Sequence, residues 1–80
     1  MAPTIYREGP YRFHFFSEEG REPAHVHVQA AGSRAKVWLH DGSVARCQGF
    51  QDHEIAQILR NVEIHRADFQ EAWNDYFAES

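Results

Sequence analysis

With a single cysteine, Cys47, the chain cannot close an intramolecular disulfide. Small domains built on disulfide frameworks are thereby excluded, and a lone thiol fits a reducing compartment. No apolar run approaches the roughly 20 residues that a membrane-spanning helix needs, so no membrane association is expected. Met1-Ala2-Pro3-Thr4 has neither the basic nor the apolar region of a signal peptide. Internal repeats and low-complexity tracts are absent as well, which rules out solenoids. What is left is a soluble cytoplasmic protein forming one domain over residues 1–80.

A chain of 80 residues buries a smaller share of its surface than a large protein does. Its eleven aromatics offset this, so a stable monomer or small homo-oligomer is expected. The net charge of −4 is an average over two unlike parts. Residues 1–50 carry six Arg/Lys against five Asp/Glu, whereas residues 51–80 carry two against seven. Four of the six histidines, His14, His25, His27 and His40, also lie in the first part. An anion-binding surface therefore belongs to the N-terminal part, and the acidic remainder faces solvent or a basic partner.

Periodicity supplies the elements. Tyr11 to Phe16 alternates aromatic with polar and reads as a strand. His25 to Ala30 and Ala35 to His40 read as two more, separated by the Ala31-Gly32-Ser33 reversal. Asp41-Gly42 is the strongest hairpin signal, leading into a fourth strand over Ser43 to Gln48. A two-residue loop there pairs Leu39 with Val44 and Trp38 with Ala45. It also sets Arg46 beside Val37 on the core face, so either this register is wrong or the last strand is short, bulged or at an edge. From residue 52 the period becomes helical, with Ile55, Ile58, Leu59 and Val62 on one face and Asp52 as N-cap. Phe69, Trp73, Tyr76 and Phe77 form a second apolar set, and Asp68 with Glu71 resembles a capping box. One unbroken helix would be roughly 38 Å long, too long for four strands, so two helices broken near residues 64–68 are predicted. The expected fold is α+β: a four-stranded antiparallel meander followed by two C-terminal helices packed on one face, ββββαα. Its core contains Phe13, Phe15, Val26, Val28, Val37, Leu39, Ile55, Ile58, Leu59, Val62, Phe69 and Trp73.

Alternation then gathers the opposite face: Arg12, His14, Phe16, His25, His27, Gln29, Lys36, Trp38 and His40, with Cys47 at its margin. His25 and His27 stand about 7 Å apart along their strand. The list holds no carboxylate, which suits a phosphate or carboxylate ligand, with Trp38 or Phe16 available for stacking on a base. Three chemistries could use it. Two imidazoles could act as base and acid in RNA cleavage, with Lys36 or Arg12 stabilising the phosphorane. The His-x-His pair could offer two ligands to a divalent metal, with His14, His40 or Cys47 as candidates for the third, but no Asp, Glu or Cys stands at close ligand spacing to complete the set, so neither a metal ligand set nor a cofactor is assigned. Plain binding of an anionic or protein partner needs no chemistry. A structural alternative stands beside these, in which His25 and His27 hold the Glu22-Pro23 turn by hydrogen bonds.

The stretches Glu22-Pro23-Ala24-His25-Val26-His27-Val28, Ala35-Lys36-Val37-Trp38-Leu39 and Ala72-Trp73-Asn74-Asp75-Tyr76-Phe77, with Pro3-Thr4-Ile5 and Arg12-Phe13-His14-Phe15-Phe16-Ser17, make the chain resemble the DUF4160 family over nearly its whole length. The most specific part is the Pro-x-His-x-His-Val element followed by Ala-Lys. The resemblance implies a small bacterial protein of uncharacterised function, often encoded beside a small DUF2442 protein in an arrangement like a toxin–antitoxin pair. It marks His25, His27 and Lys36 as motif positions without giving them roles. The function expected is a toxin–antitoxin-type component that binds or cleaves RNA. His25, His27 and Lys36 are its candidate catalytic residues, and Arg12, His14 and Trp38 its candidate ligand-binding residues. The alternatives are a module that binds a cognate DUF2442-like partner, or a divalent-metal-binding protein.

Overall fold

The computed structural model describes residues 4–78. The Met1–Pro3 stretch considered above for a leader and residues 79–80 lie outside these. Five strands form one antiparallel meander in chain order: β1 (Thr4–Glu8), β2 (Tyr11–His14), β3 (His25–Ala30), β4 (Ser33–Trp38) and β5 (Val44–Gln48). One helix, α1 (Asp52–Tyr76), follows. The expectation of four strands and two helices is therefore corrected at both ends of the chain.

The two corrections share a cause. Nothing between Asp52 and Tyr76 is Gly or Pro, so no residue interrupts the backbone ladder. The apolar stripe is unbroken too, because His65 fills the position between Val62 and Phe69. Its ring lies 4.3 Å from that of Tyr6 and 5.7 Å from that of Phe69. Tyr6 belongs to β1, the strand omitted from the four-stranded expectation. With β1 in place the sheet supports the middle of α1, where Tyr6 meets both His65 and Phe69. Its N-terminus is capped one residue earlier than expected. Gln51 and Glu54 form a reciprocal capping box in which the Gln51 N–H donates to Glu54 Oε1 at 2.8 Å.

Turn chemistry sets the register. Ala31 and Gly32 both adopt positive φ, +48° and +84°, between the paired Ala30 and Ser33. This is the two-residue type I′ geometry that Asp41-Gly42 was expected to take. At the later turn only Gly42 has positive φ, and Asp41 instead accepts hydrogen bonds from the Ser43 backbone and hydroxyl. The loop is longer, so Val44 lies opposite Val37, not Leu39. Between Lys36 and Val37 the register shifts, and Arg46 pairs with Lys36. The bulge thus moves Arg46 off the core face and onto the other side of the sheet. Cys47 pairs with Ala35, away from the histidine face, and remains exposed.

The core lies between the sheet and α1. Phe13, Phe15, Val26, Val28, Val37, Leu39, Ile58 and Val62 are all but sealed from solvent, and Phe69, Trp73, Tyr11 and Ala35 are buried with them. Ile55 and Leu59 pack at the margin. No helix is long and apolar enough to cross a membrane among the described residues.

Candidate functional site

Pro23 ends a loop and β3 begins two residues later, which fixes where His25 and His27 enter the sheet. His25 is fully buried at the strand end. The C-terminal part of α1 lies over it, with the Trp73 ring 5.0 Å away, and Trp38 of β4 closes another side at 5.6 Å. The 3-10 turn Ser17–Glu19 folds back towards these histidines. Gly20, next in the chain, lies so close to the Phe77 ring that an added Cβ would sit 2.4 Å from it. A glycine here lets the turn dock on the end of the helix, and docking carries Glu19 to the histidines.

Three side chains meet as a result. Glu19 Oε1 lies 2.8 Å from His25 Nε2 and 2.6 Å from His27 Nε2. His25 Nδ1 lies 2.9 Å from the Pro23 carbonyl oxygen, a pure acceptor, so Nδ1 carries a proton and donates it there. Both nitrogens of a sealed imidazole thus face oxygens. The arrangement is satisfied when the ring carries two protons, or when a cation takes the place of the Nε2 proton. The three ligand atoms lie within 4.8 Å of one another.

The electrostatics follow from burial and pairing. Burial pushes the Glu19 carboxyl up, but the hydrogen bonds and charges of His25 and His27 outweigh it and hold the group below its ordinary value. Burial pushes His27 down, and this outweighs the opposing pull of Glu19. Burial thus favours the neutral form of His27, and a neutral imidazole is a ready metal ligand.

Beside this trio opens a cavity of about 170 Å³. Glu19 and His27 form part of its wall, with His14, Phe16, Lys36 and Arg46 around them. The Phe16 ring stands edge-on to both His14 and His27, at 4.9 and 4.5 Å. His14, paired with His27 across the sheet, is 1 % exposed, yet neither of its ring nitrogens makes a hydrogen bond. Burial and the His27 and Arg12 charges push its pKa down; the Phe15 backbone and Gln29 side chain pull weakly the other way without hydrogen-bonding geometry.

The sequence-predicted residues are distributed unevenly around this site. His14, His27 and Lys36 line the cavity, whereas His25 lies behind it. Lys36 Nζ is held 2.6 Å from Glu22 Oε1 and sits 4.7 Å over the Trp38 ring. Trp38 thus packs against Lys36 and His25 and does not line the cavity. Arg12 is on the same face and hydrogen-bonds Gln29, in a neighbouring cleft. His40 is exposed beside Asp41 at the far turn. Glu19, Arg34 and Arg46 were not singled out. Glu19 stands six residues before His25 across a Gly and a Pro, a separation that only loop closure converts into contact. Arg46 could be placed only once the bulge is known.

The model of the domain of unknown function DUF4160 matches residues 11–74 of the chain, which takes in the trio, the cavity and most of α1. Neither a curated protein nor a solved structure matches.

Proposed function

The chain belongs to the DUF4160 family, whose description assigns no activity, and from its site we propose that it is a divalent-metal-binding protein using Glu19, His25 and His27. The observation that carries this reading is the sealed His25, whose Nδ1 is anchored on Pro23 while its Nε2 points at Glu19 and, with it, at His27. An imidazole whose far N–H is held by a backbone carbonyl is the usual support for a metal-bound histidine. Two imidazoles and one carboxylate suit zinc and its first-row neighbours. At metal–ligand distances of about 2.0–2.2 Å, tetrahedral ligands stand about 3.3 Å apart. Glu19 need move only about half an ångström or slightly more from each imidazole to reach that spacing, and the two imidazole nitrogens already lie within 4.8 Å of each other. Two of the ligands line the cavity, so the fourth position faces it, as in sites that exchange a ligand and unlike closed structural ones.

The geometry favours this over acid–base cleavage by the two imidazoles. His25 does not line the cavity, and both Nε2 atoms are turned to one carboxylate oxygen instead of straddling a space for a phosphodiester. Untagged protein, stripped with chelator and titrated with Zn²⁺ and Mn²⁺ by calorimetry, is expected to bind one equivalent of zinc. Glu19→Gln and His25→Ala should each weaken binding at least tenfold, while His53→Ala on the exposed first turn of α1 leaves it unchanged. No stoichiometric binding, or equal binding by all variants, would refute the proposal.

A further inference from the structure

The outer face of the sheet carries a charge pattern that stability does not explain. Cross-strand partners share a face. Reading across the strands, one row is Thr4, His14, His27, Lys36 and Arg46, and the next is Arg7, Arg12, Gln29, Arg34 and Gln48. Five of the eight Arg and Lys residues of the chain therefore stand on one face of five short strands. Two pairs, Arg7 with Arg12 and Lys36 with Arg46, set like charges directly opposite each other, an arrangement that destabilises a sheet. The second pair exists because of the bulge at Lys36/Val37, and bulges commonly re-aim a side chain next to a functional site.

Among the described residues, carboxylates neutralise this face at Lys36 alone of its five cations. The two nearby are already engaged, Glu19 by His25 and His27, and Glu22 by Lys36. Among the described residues neither Arg34 nor Arg46 has an ion-pair partner, and both stand at the cavity. On the cavity wall His14 holds two ring nitrogens that are buried and bonded to nothing. A buried polar group left unpaired costs free energy comparable to a lost hydrogen bond, so His14 too is a burden that folding alone does not explain. The cavity, about 170 Å³, is smaller than the roughly 300 Å³ at which drug-sized ligand pockets begin. It suits a compact group, or one end of a longer ligand lying across the sheet.

We propose that this outer face binds phosphate-bearing ligands, with one phosphoryl group seated in the cavity between His14, Arg34, Lys36 and Arg46. Guanidinium groups present paired N–H donors that match a phosphate's oxygens, and Lys36 adds a point charge. Arg7 and Arg12, in the second row, stand where a second phosphate of a longer ligand would lie. The overall charge of −4 is no obstacle, since the acidic residues are concentrated in residues 51–80. The proposal does not require the metal, although a divalent ion on Glu19 would add to the attraction.

The test is calorimetric titration of chelator-stripped and zinc-loaded full-length protein with inorganic phosphate, a nucleoside 5′-monophosphate and a short single-stranded RNA. Binding of phosphate or nucleotide is expected, weakened about tenfold or more in Arg34→Gln/Arg46→Gln, because each charged hydrogen bond lost is worth about that factor. The control Arg60→Gln/Arg66→Gln removes the same charge from α1 and should leave binding unchanged. RNA binding tighter than phosphate, with log Kd rising with log salt at about 0.7 per neutralised phosphate, identifies a phosphodiester chain as the source. Phosphate and nucleotide binding without that gain identifies a small ligand. No binding of any of the three probes, or equal loss in the control, overturns the proposal. Zinc uptake is read in the same samples, so protein that binds zinc but no phosphate refutes this inference alone, and protein that binds phosphate but no zinc refutes the metal reading alone.

Discussion

The two faces of the sheet are built by the same alternating strands and obey different rules. On the helix side every large side chain has an apolar partner. Phe13, for example, lies between Tyr6 and Phe69, with ring centres 5.7 and 5.6 Å away. On the outer side like charges face each other, a histidine is buried without a hydrogen bond, and a carboxylate is shared by two imidazoles. Residues on the first face are those that folding needs. Those on the second burden the fold, which is the ground for proposing that they are held in place for a ligand.

The sharpest way to break that comparison is to cut the same chain on each side. Phe69→Ala removes a buried ring from the helix face and should cost about 3–5 kcal/mol. That is a large part of the roughly 5–15 kcal/mol that holds a domain folded. Arg34→Gln/Arg46→Gln, on the outer face, should leave the urea midpoint unchanged or raise it slightly, because it relieves a like-charge pair. Comparable losses from both variants would mean that the outer face is structural after all.

His14 offers a finer cut, since it belongs to the outer face yet is as buried as the core. In His14→Phe a ring of similar shape keeps its place between His27 and Phe16 while two unpaired nitrogens disappear. The expected result is a gain of about 1 kcal/mol, which raises Tm by roughly 4–8 °C in a domain of this size. A pH dependence accompanies it. Burial holds the His14 pKa down in the folded chain, so the unfolded chain takes up the proton first as pH falls through about 6.5. In chelator, wild-type stability therefore falls as pH drops below that value, and His14→Phe should lose part of the slope. A lower Tm, or an unchanged slope, would show that the ring nitrogens are already satisfied.

The same contrast explains what the sequence discloses. Apolar periodicity is local, so the helix-facing residues and the span of β3 follow from spacing alone. His25, His27, Lys36, His14 and Arg12 also fall on the outer face by alternation. The break assigned near residues 64–68 fails because His65 does an apolar residue's work against Tyr6, a contact invisible without β1. Glu19 is illegible for a different reason: it reaches His25 through a loop whose path depends on Gly20 meeting Phe77 at the far end of the chain. Arg46 changes face through a one-residue bulge, and a shift of one residue inverts every side-chain assignment beyond it.

The smallest effect expected is at the turn that sets both faces at once. Ala31 is the one non-glycine residue with positive φ among the described residues. An L-residue with a Cβ pays about 1 kcal/mol or more to occupy that region, which glycine enters freely. Ala31→Gly relieves that strain but adds backbone freedom to the unfolded chain, which takes back about 0.4–1 kcal/mol. The net gain should be a few tenths of a kcal/mol, visible as a small rise in urea midpoint. The pairing of Ala30 with Ser33 carries through to Val28 with Ala35 on one face and His27 with Lys36 on the other. A gain that leaves zinc and phosphate binding unchanged would show a register set by the turn and reinforced by both faces. Altered binding at constant fold would instead mean that the Ala31 conformation itself trims the alignment of His27 and Lys36, tying the outer face to a strained residue beyond the cavity.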